Sequence, residues 1–420
     1  MFNLYFSFIQ KIKRNIFPFF KDRELKTIFA KLQEGYPKEQ PVARFVGGSV
    51  RKYLSGEKID DIDVATTLTI KQIKEKLKGS EFKIIDTGVE HGSVTIVSKN
   101  HKIEITTLRQ DIKTDGRRAE IKKTDNWLLD SERRDFTINS IYLDINGKIF
   151  DPQMGSVDLK NNNVKFIGDP QKRIEEDYLR IIRFIRFKII YDIKVETTTS
   201  NAIKQNLDGI KKISKERILI ELLKILELKN FLKINENENL KEIFSKIFPE
   251  FIYLNRLERL KKIYKHSKLN KEIIFSILLI DGKDNHEYFF HKYNPSNKIQ
   301  DKIKKIANNL NEIKKDKFFF DKELLKNIYY NGKDHLIALN IINFSMNSKI
   351  QFTDFLKTLE RILKSNVPNF PFNGEYLKKN GMREGEAIGK VLKTAEMEWV
   401  KNNFSISSDR VRELIHNYSN

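Results

Sequence analysis

The 420 residues contain no cysteine. That excludes a disulfide framework, a cysteine-ligated zinc and a thiol nucleophile, and it suits a reducing compartment, with the cytoplasm as the expected one. No uninterrupted apolar run is long enough to span a bilayer. The one apolar stretch of that kind, MFNLYFSFIQKIKRNIFPFF at the N-terminus, is broken by Lys11, Lys13 and Arg14. It is too short and too charged for a spanning helix, and no small-residue cleavage site follows it, so it reads as a basic amphipathic lead-in. Glycine thins out after about residue 170, where long helical patterns take over. Negative charge is outweighed: 78 Lys and Arg stand against 57 Asp and Glu, a formal net charge of +21 with a pI near 9.6. Such a balance fits a polyanionic partner, most often nucleic acid. A general enrichment in Lys, Ile, Asn and Phe would raise the charge by itself, so charge alone does not name the partner. With 40% apolar residues the chain can bury a large core, and its length allows about two to four domains.

Residues 24–36 have helical period. Residues 41–150 mix strands and short helices: VARFVGG is a strand entering a glycine turn, DDIDVATTL a short strand, and TIKQIKEKLKGS a helix stopping at Gly79. FKIIDTG, GSVTIVSKN and KIEITTLR alternate as strands do, and Asn146-Gly147 marks a hairpin. From about residue 170 the pattern is helical, with RIEEDYLRIIRFIRFKIIYDI the first long run. The Asn/Lys-rich stretches near 229–240 and 282–297 read as connections. The architecture expected is therefore α+β, a small α/β head followed by a long helical remainder.

The chemistry concentrates in ARFVGGSVRKYLSGEKIDDIDVAT, residues 43–66, where two glycines follow a strand and three aspartates fall within four positions. Gly47 and Gly48 let backbone N–H groups approach a ligand that a Cβ would keep away, and Arg51 is placed to meet a phosphate oxygen. Asp61 and Asp63, two apart on a strand, share a face. They repel one another unless a cation lies between them, and Mg²⁺ prefers such oxygen ligands. A two-metal site needs a third carboxylate from a neighbouring strand; Glu104 in KIEITTLR is the candidate, the alternative being an edge carboxylate facing water. In SERRDFTINS, Arg133 and Arg134 have the fork that suits phosphate oxygens and Asp135 can accept from ribose hydroxyls, although a solvated charge run would look the same.

Taken together these residues resemble a known family. GGSVRKYLSGEKIDDIDVAT is similar to the Gly-Gly-x-Val-Arg … Asp-x-Asp-x-Ala-Thr signature of class II nucleotidyltransferases, and SERRDFTIN to that family's Arg-Arg-Asp-Phe-Thr-x-Asn motif. DPQMGSVDL (151–159), RIEEDYLRIIRFIRF (173–187) and ISKERILIELLKIL (213–226) resemble its third, fourth and fifth motifs, in the same order. The resemblance implies a polymerase-β-like head with a mixed sheet (24–161), then a helical neck (162–232), body (233–317) and tail (318–420). It implies that Asp61 and Asp63 ligate catalytic Mg²⁺ and that Gly48, Arg51, Arg134 and Asp135 hold the incoming nucleotide. Asp177 and Arg180 would read its base, with Arg183 and Arg186 also at that site. As an i, i+3 pair on one helix, Asp177 and Arg180 would face each other. On one continuous helix, three steps of three residues would carry Arg186 nearly opposite Asp177. Lys52 departs from the pattern, which has Asp after Gly-Gly-x-Val-Arg, and leaves the support of Arg51 open.

The family contains CCA-adding tRNA nucleotidyltransferases and bacterial poly(A) polymerases, which share these motifs. NGEYLKKNGMREGEAIGKVLKTAEMEWV (373–400) is similar to a glycine-spaced segment near the end of CCA-adding enzymes, with Gly374, Gly381, Gly385 and Gly389 in order, and would be a helix pair crossing closely at small residues. The function implied is addition of CCA to the tRNA 3′ end from CTP and ATP, the RNA being gripped at acceptor stem and elbow through shape and phosphates. A poly(A) polymerase, a partial CC- or A-adding enzyme, and a non-catalytic RNA-binding protein are the alternatives. No metal phosphohydrolase is expected, because His266, His286 and His291 lack the matching His-Asp arrangement.

Overall fold

The computed structural model describes residues 18–89, 92–114, 119–191, 195–263 and 269–419. Most of the N-terminal lead-in and His266 lie outside the described residues. The chain divides into two compact units, Met1–Ile247 and Phe248–Asn420.

The first unit opens with α1 (Arg23–Gln33), started by Asp22, whose carboxylate accepts from the N–H groups of Glu24 and Leu25. There follow β1 (Ala43–Val46), α2 (Gly48–Ser55), β2 (Ile62–Thr66), α3 (Ile70–Leu77), β3 (Lys83–Gly88), β4 (Ser93–Val97) and β5 (Lys102–Thr107). The short strands β8 (Tyr142–Leu143) and β9 (Ile149–Phe150) form the hairpin marked by Asn146-Gly147. These strands make one seven-stranded sheet in the order β3-β4-β5-β2-β1-β8-β9. Every neighbouring pair is antiparallel except β2 and β5. The sheet is therefore mixed, as expected. A separate ribbon, β6 (Arg109–Thr114) with β7 (Ala119–Lys123), was not legible: its mostly polar strands bear no sustained apolar alternation.

Alternation does locate the working face of the sheet. In β5, Ile103 and Ile105 are buried while Glu104 points the other way and is exposed. Parallel register sets Glu104 beside Asp63. Under the neighbouring part of the sheet Val46, Ala65, Leu108 and Tyr142 form a core cluster flanked by Trp127 and Phe150.

After α4 (Trp127–Glu132) and α5 (Gly155–Lys160) come the helices α6 (Pro170–Glu176), α7 (Leu179–Tyr191), α8 (Thr197–Gln205), α9 (Lys215–Leu226) and α10 (Glu238–Ile247). Helix α7 is fastened to the head through phenylalanines. Phe184 stacks on Phe166 at 5.7 Å, and Phe187 meets Phe136 edge-on at 5.4 Å. The run read as one long helix is broken between α6 and α7. Asp177 there is extended (φ −157°, ψ 102°), and its carboxylate accepts from the Leu179 N–H at 3.1 Å, the work of a helix cap. Apolar periodicity continues across the break with Ile174 and Leu179 both buried, so it could not reveal it.

The second unit is helical: α11 (Leu257–Ile263), α12 (Lys271–Leu279), α13 (Asn285–Tyr293), α14 (Asn297–Lys315), α15 (Leu324–Asn331), α16 (Lys333–Met346), α17 (Phe352–Lys364), α18 (Gly374–Lys379), α19 (Glu386–Lys401) and α20 (Ser408–Ser419). The two stretches expected as connections carry structure instead. Residues 229–236 form a 3-10 helix that buries Phe231 and Ile234, and α13 buries Phe289, Phe290 and Tyr293. The helix pair α18 and α19 is present, but of its four glycines only Gly374 faces the partner helix, where a Cβ would lie in ordinary contact with Ile388 at 3.6 Å. A Cβ on Gly381, Gly385 or Gly389 would meet nothing within 4 Å. Leu377, Val391, Ala395, Val411 and Leu414 make that core.

Candidate active site

Gly47 ends the approach of β1 and starts α2 with φ +67°, a conformation that suits glycine. A side chain there would also intrude on the acids, since a Cβ on Gly47 would lie 3.4 Å from Asp63 Oδ2. The turn thus brings backbone N–H groups against the carboxylates, and the Gly48 N–H bonds to Asp63. Burial, then Glu104 and Asp61, push the Asp63 carboxyl above its ordinary pKa, against the pull of Arg134 and the Gly48 N–H. Asp61 itself is exposed. Asp63 thus feels two other acids, Asp61 and Glu104, and a carboxylate in that position is suited to a divalent cation. Among the described residues no three acidic or histidine side chains are gathered as a ready-made metal cage.

Arg51 is buried and held by several groups: it donates to Asn139 Oδ1, its guanidinium lies 4.7 Å from the centre of the Phe187 ring, and it hydrogen-bonds with Tyr191. Lys52 has no part in this. Its ammonium reaches Asp60 at 3.1 Å, tying α2 to the residue next to Asp61. The support of Arg51, left open by Lys52, comes from Asn139, Phe187 and Tyr191.

Arg134 bonds through Nε and Nη2 to Asp130 Oδ2, at 3.2 and 2.8 Å, and through Nε to the Tyr142 hydroxyl at 3.1 Å. Asp130 is fully buried and also holds Arg133. Burial alone would raise its pKa, but the two arginines and Tyr142 hold it far below the carboxylate range. Asp135 is likewise kept low: burial opposes ionisation, and Arg183 at 2.8 Å, Asn139 and the Phe136 N–H outweigh it. The third motif packs directly under this segment. Asp151 accepts from the N–H groups of Gly155 and Ser156, and Thr137 donates to Asp158 at 2.8 Å.

The expected pairing of Asp177 with Arg180 is not found. Asp177 bonds to Arg217 of α9 at 2.7 Å. Arg180 bonds to Glu176 at 2.6 Å, to the Arg173 carbonyl at 2.7 Å and more loosely to the Arg133 carbonyl at 3.4 Å. The helix break explains the difference: the Asp177 carbonyl still takes the Arg180 N–H, but at its extended backbone the carboxylate turns to the Leu179 N–H and Arg217. Arg183 faces Asp135 of the second motif. Arg186, counted as remote, lies over Phe187, within electrostatic reach of Arg51, and is anchored on buried Glu221 at 2.8 Å. Once the break resets the phase, the wheel drawn from Asp177 no longer applies. Sequence reading missed Asp130, Tyr142, Glu221 and Arg217 as partners. Asp130, four residues before Arg134 on a short helix, is the one spacing that could have given a signal.

Residues 43–165 match the family model described as the poly A polymerase head domain, and residues 192–253 match that described as the probable RNA and SrmB-binding site of polymerase A. The mitochondrial CCA tRNA nucleotidyltransferase 1 of Homo sapiens is 32% identical over 417 residues, covering 91% of this chain and 88% of that protein. The chain belongs to the CCA tRNA nucleotidyltransferase family. The CCA-adding enzyme of Ligilactobacillus salivarius is a bacterial member, 31% identical over 375 residues, covering 86% of this chain and 89% of its own length. Among solved structures, the Bacillus stearothermophilus CCA-adding enzyme in complex with CTP shares the fold, with a TM-score of 0.66 at 23% identity, covering 94% of this chain and 96% of that one. So does the Thermotoga maritima CCA-adding enzyme complexed with tRNA, with a TM-score of 0.58 at 20% identity, covering 95% and 96%. Nucleotidyltransferases of this family generally use a divalent metal, and in this chain Asp63 lies beside Glu104 across the parallel strand pair. Among the described residues no helix is long and apolar enough to cross a membrane.

Proposed function

We propose that this chain adds C, C and A to the 3′ end of tRNA from CTP and ATP, with Mg²⁺ as its metal and pyrophosphate as the product released. The observation that carries the reading is the acidic face of Asp61, Asp63 and Glu104, set between the Gly47-Gly48 turn and the Arg134 fork. Asp61 and Asp63 would hold Mg²⁺. Bound there, it would activate the RNA 3′-hydroxyl and stabilise the departing pyrophosphate. Gly48 and Arg51 face the phosphates, Arg134 adds its fork, and Asp135 lies toward the ribose. Head residues 24–161 carry the transfer, neck residues 162–232 the choice of base. The body (233–317) and tail (318–420) meet the acceptor stem and elbow, with exposed lysines such as Lys298, Lys302, Lys305, Lys314 and Lys315 of α14 toward the backbone. A reducing compartment such as the cytoplasm suits a chain without cysteine.

Asp177 and Arg180 can read a base without leaving their anchors. A carboxylate has about four acceptor sites, and Asp177 uses one for the Leu179 N–H and one for Arg217. A guanidinium has about five donors, and the protein bonds to Arg180 go through Nη1 and Nη2, leaving Nε and the rest of Nη2. Cytosine and adenine each offer an exocyclic amine beside a ring acceptor, which matches acid plus guanidinium. Uracil and guanine offer the opposite order and leave both groups unmatched.

Primer extension tests the reading. A tRNA ending at its discriminator base should gain two nucleotides with CTP and one more when ATP is also present. An A ladder that ignores CTP would identify a poly(A) polymerase, and a halt after CC or addition of A alone a partial enzyme. Arg180→Ala should raise UTP incorporation relative to CTP by about tenfold or more; an unchanged ratio would remove the base-reading role.

A further inference from the structure

Arg173 belongs to none of the groups assigned above, yet it touches two of them. It sits on α6, and its side chain is 12% exposed. Its Nη2 donates to two successive carbonyls, Arg133 at 2.7 Å and Arg134 at 2.6 Å. Its Nη1 donates to Glu176. Glu176 is also the carboxylate that holds Arg180, and the carbonyl of Arg173 itself accepts from Arg180 Nη1 at 2.7 Å. The Arg133 carbonyl is shared, taking Arg180 Nη2 as well.

We propose that Arg173 is a positioning residue that couples phosphate binding to base selection, by tying the Arg133–Arg134 turn to the Glu176–Arg180 segment. The inference rests on the reading of Arg180 as a base-reading residue. One guanidinium closes a ring of hydrogen bonds: turn 133–134, Arg173, Glu176, Arg180, and back to the turn. The side chains of Arg133 and Arg134 leave the far side of that turn for Asp130. Whatever moves the Arg134 fork toward a triphosphate therefore moves the carbonyl on which Arg173 and Arg180 rest. A planar fork can serve two adjacent carbonyls and a carboxylate at once, and an ammonium cannot do so in the same geometry. Small errors in the placement of a reading group are expensive in discrimination and in nucleotide affinity.

The test compares Arg173→Lys and Arg173→Gln with Arg180→Ala in the full chain, on a tRNA ending at its discriminator base for CTP and UTP and on one ending in CC for ATP. Melting temperature and tRNA KM serve as controls. The expected result for both Arg173 variants is a rise of about tenfold in KM for CTP and ATP, kcat changed by less than about threefold, and UTP incorporation raised with it. The tRNA KM should hold. A merely structural residue would lower the melting temperature and the active fraction but leave nucleotide KM and the UTP/CTP ratio alone; that result, with Arg180→Ala still blurring the ratio, overturns the coupling. If Arg180→Ala leaves the ratio unchanged, the base-reading assignment itself falls and the inference falls with it. Should Arg173→Gln fail to fold, the charge-preserving Arg173→Lys decides.

Discussion

Asp63→Asn is expected to lower kcat by about a thousandfold or more while tRNA affinity stays at the wild-type value. The substitution keeps the shape of the side chain and removes one of two adjacent charges that would hold Mg²⁺. It also relieves a conflict within the protein. The Asp63 carboxyl is pushed up by burial and by Glu104 and Asp61, so its ionised form opposes folding when no cation is bound. The variant should therefore melt at a higher temperature than wild type in the presence of a chelator. Wild type should gain melting temperature on addition of Mg²⁺, and the variant should gain much less. Single-nucleotide addition, a gel-shift titration with tRNA and two melting curves check all three parts. Retained turnover would remove the metal assignment. A metal-free melting temperature below wild type would instead show that Asp63 stabilises the fold.

Gly155→Ala is expected to cost about 3 kcal/mol or more, at the top of the range for overpacking. A Cβ at Gly155 would lie 2.0 Å from the Thr137 carbonyl oxygen and 2.9 Å from Ile141 Cγ1. The first of these is backbone and cannot turn aside. Thr137 lies between Asp135, which holds Arg183, and Asn139, which holds Arg51. The strain would thus enter the segment proposed to hold the nucleotide, and nucleotide KM should rise along with the loss of stability. Gly389→Ala is the matched control. A Cβ there meets nothing within 4 Å, and alanine is the better helix former, so stability should hold or rise slightly. Chemical denaturation of the two variants beside wild type measures both, and equal stabilities would refute the packing argument.

The head was legible where local rules act. Alternation marked KIEITTLR as a strand, in which Ile103 and Ile105 are buried and Glu104 is exposed, and Asn146-Gly147 announced its hairpin. Two aspartates with a spacing of two gave the acidic face, and the motif order gave the family. What stayed hidden depends on partners far along the chain. Nothing near Arg51 reports that Asn139 and Phe187 hold it, and nothing near Asp177 reports Arg217. The helix break at Asp177 was missed because periodicity counts apolar residues, whereas a cap is written in one polar side chain. The ribbon β6–β7 was missed for the converse reason: with Ile112, Ala119 and Ile121 as its only apolar residues, it carries too short a period to count.

The lone parallel pairing in the sheet bears on the order in which the molecule assembles. Antiparallel neighbours can zip from a tight turn, but β2 and β5 meet only after α3, β3 and β4 have been laid down between them. The two aspartates and Glu104 therefore become neighbours late, and the Arg51–Asn139 clamp, spanning 88 positions, closes later still. A growing chain carries its acids apart, with the arginines that balance them not yet in place. The acidic face and the Arg51–Asn139 contact are thus both complete only when the chain has been made through residue 139.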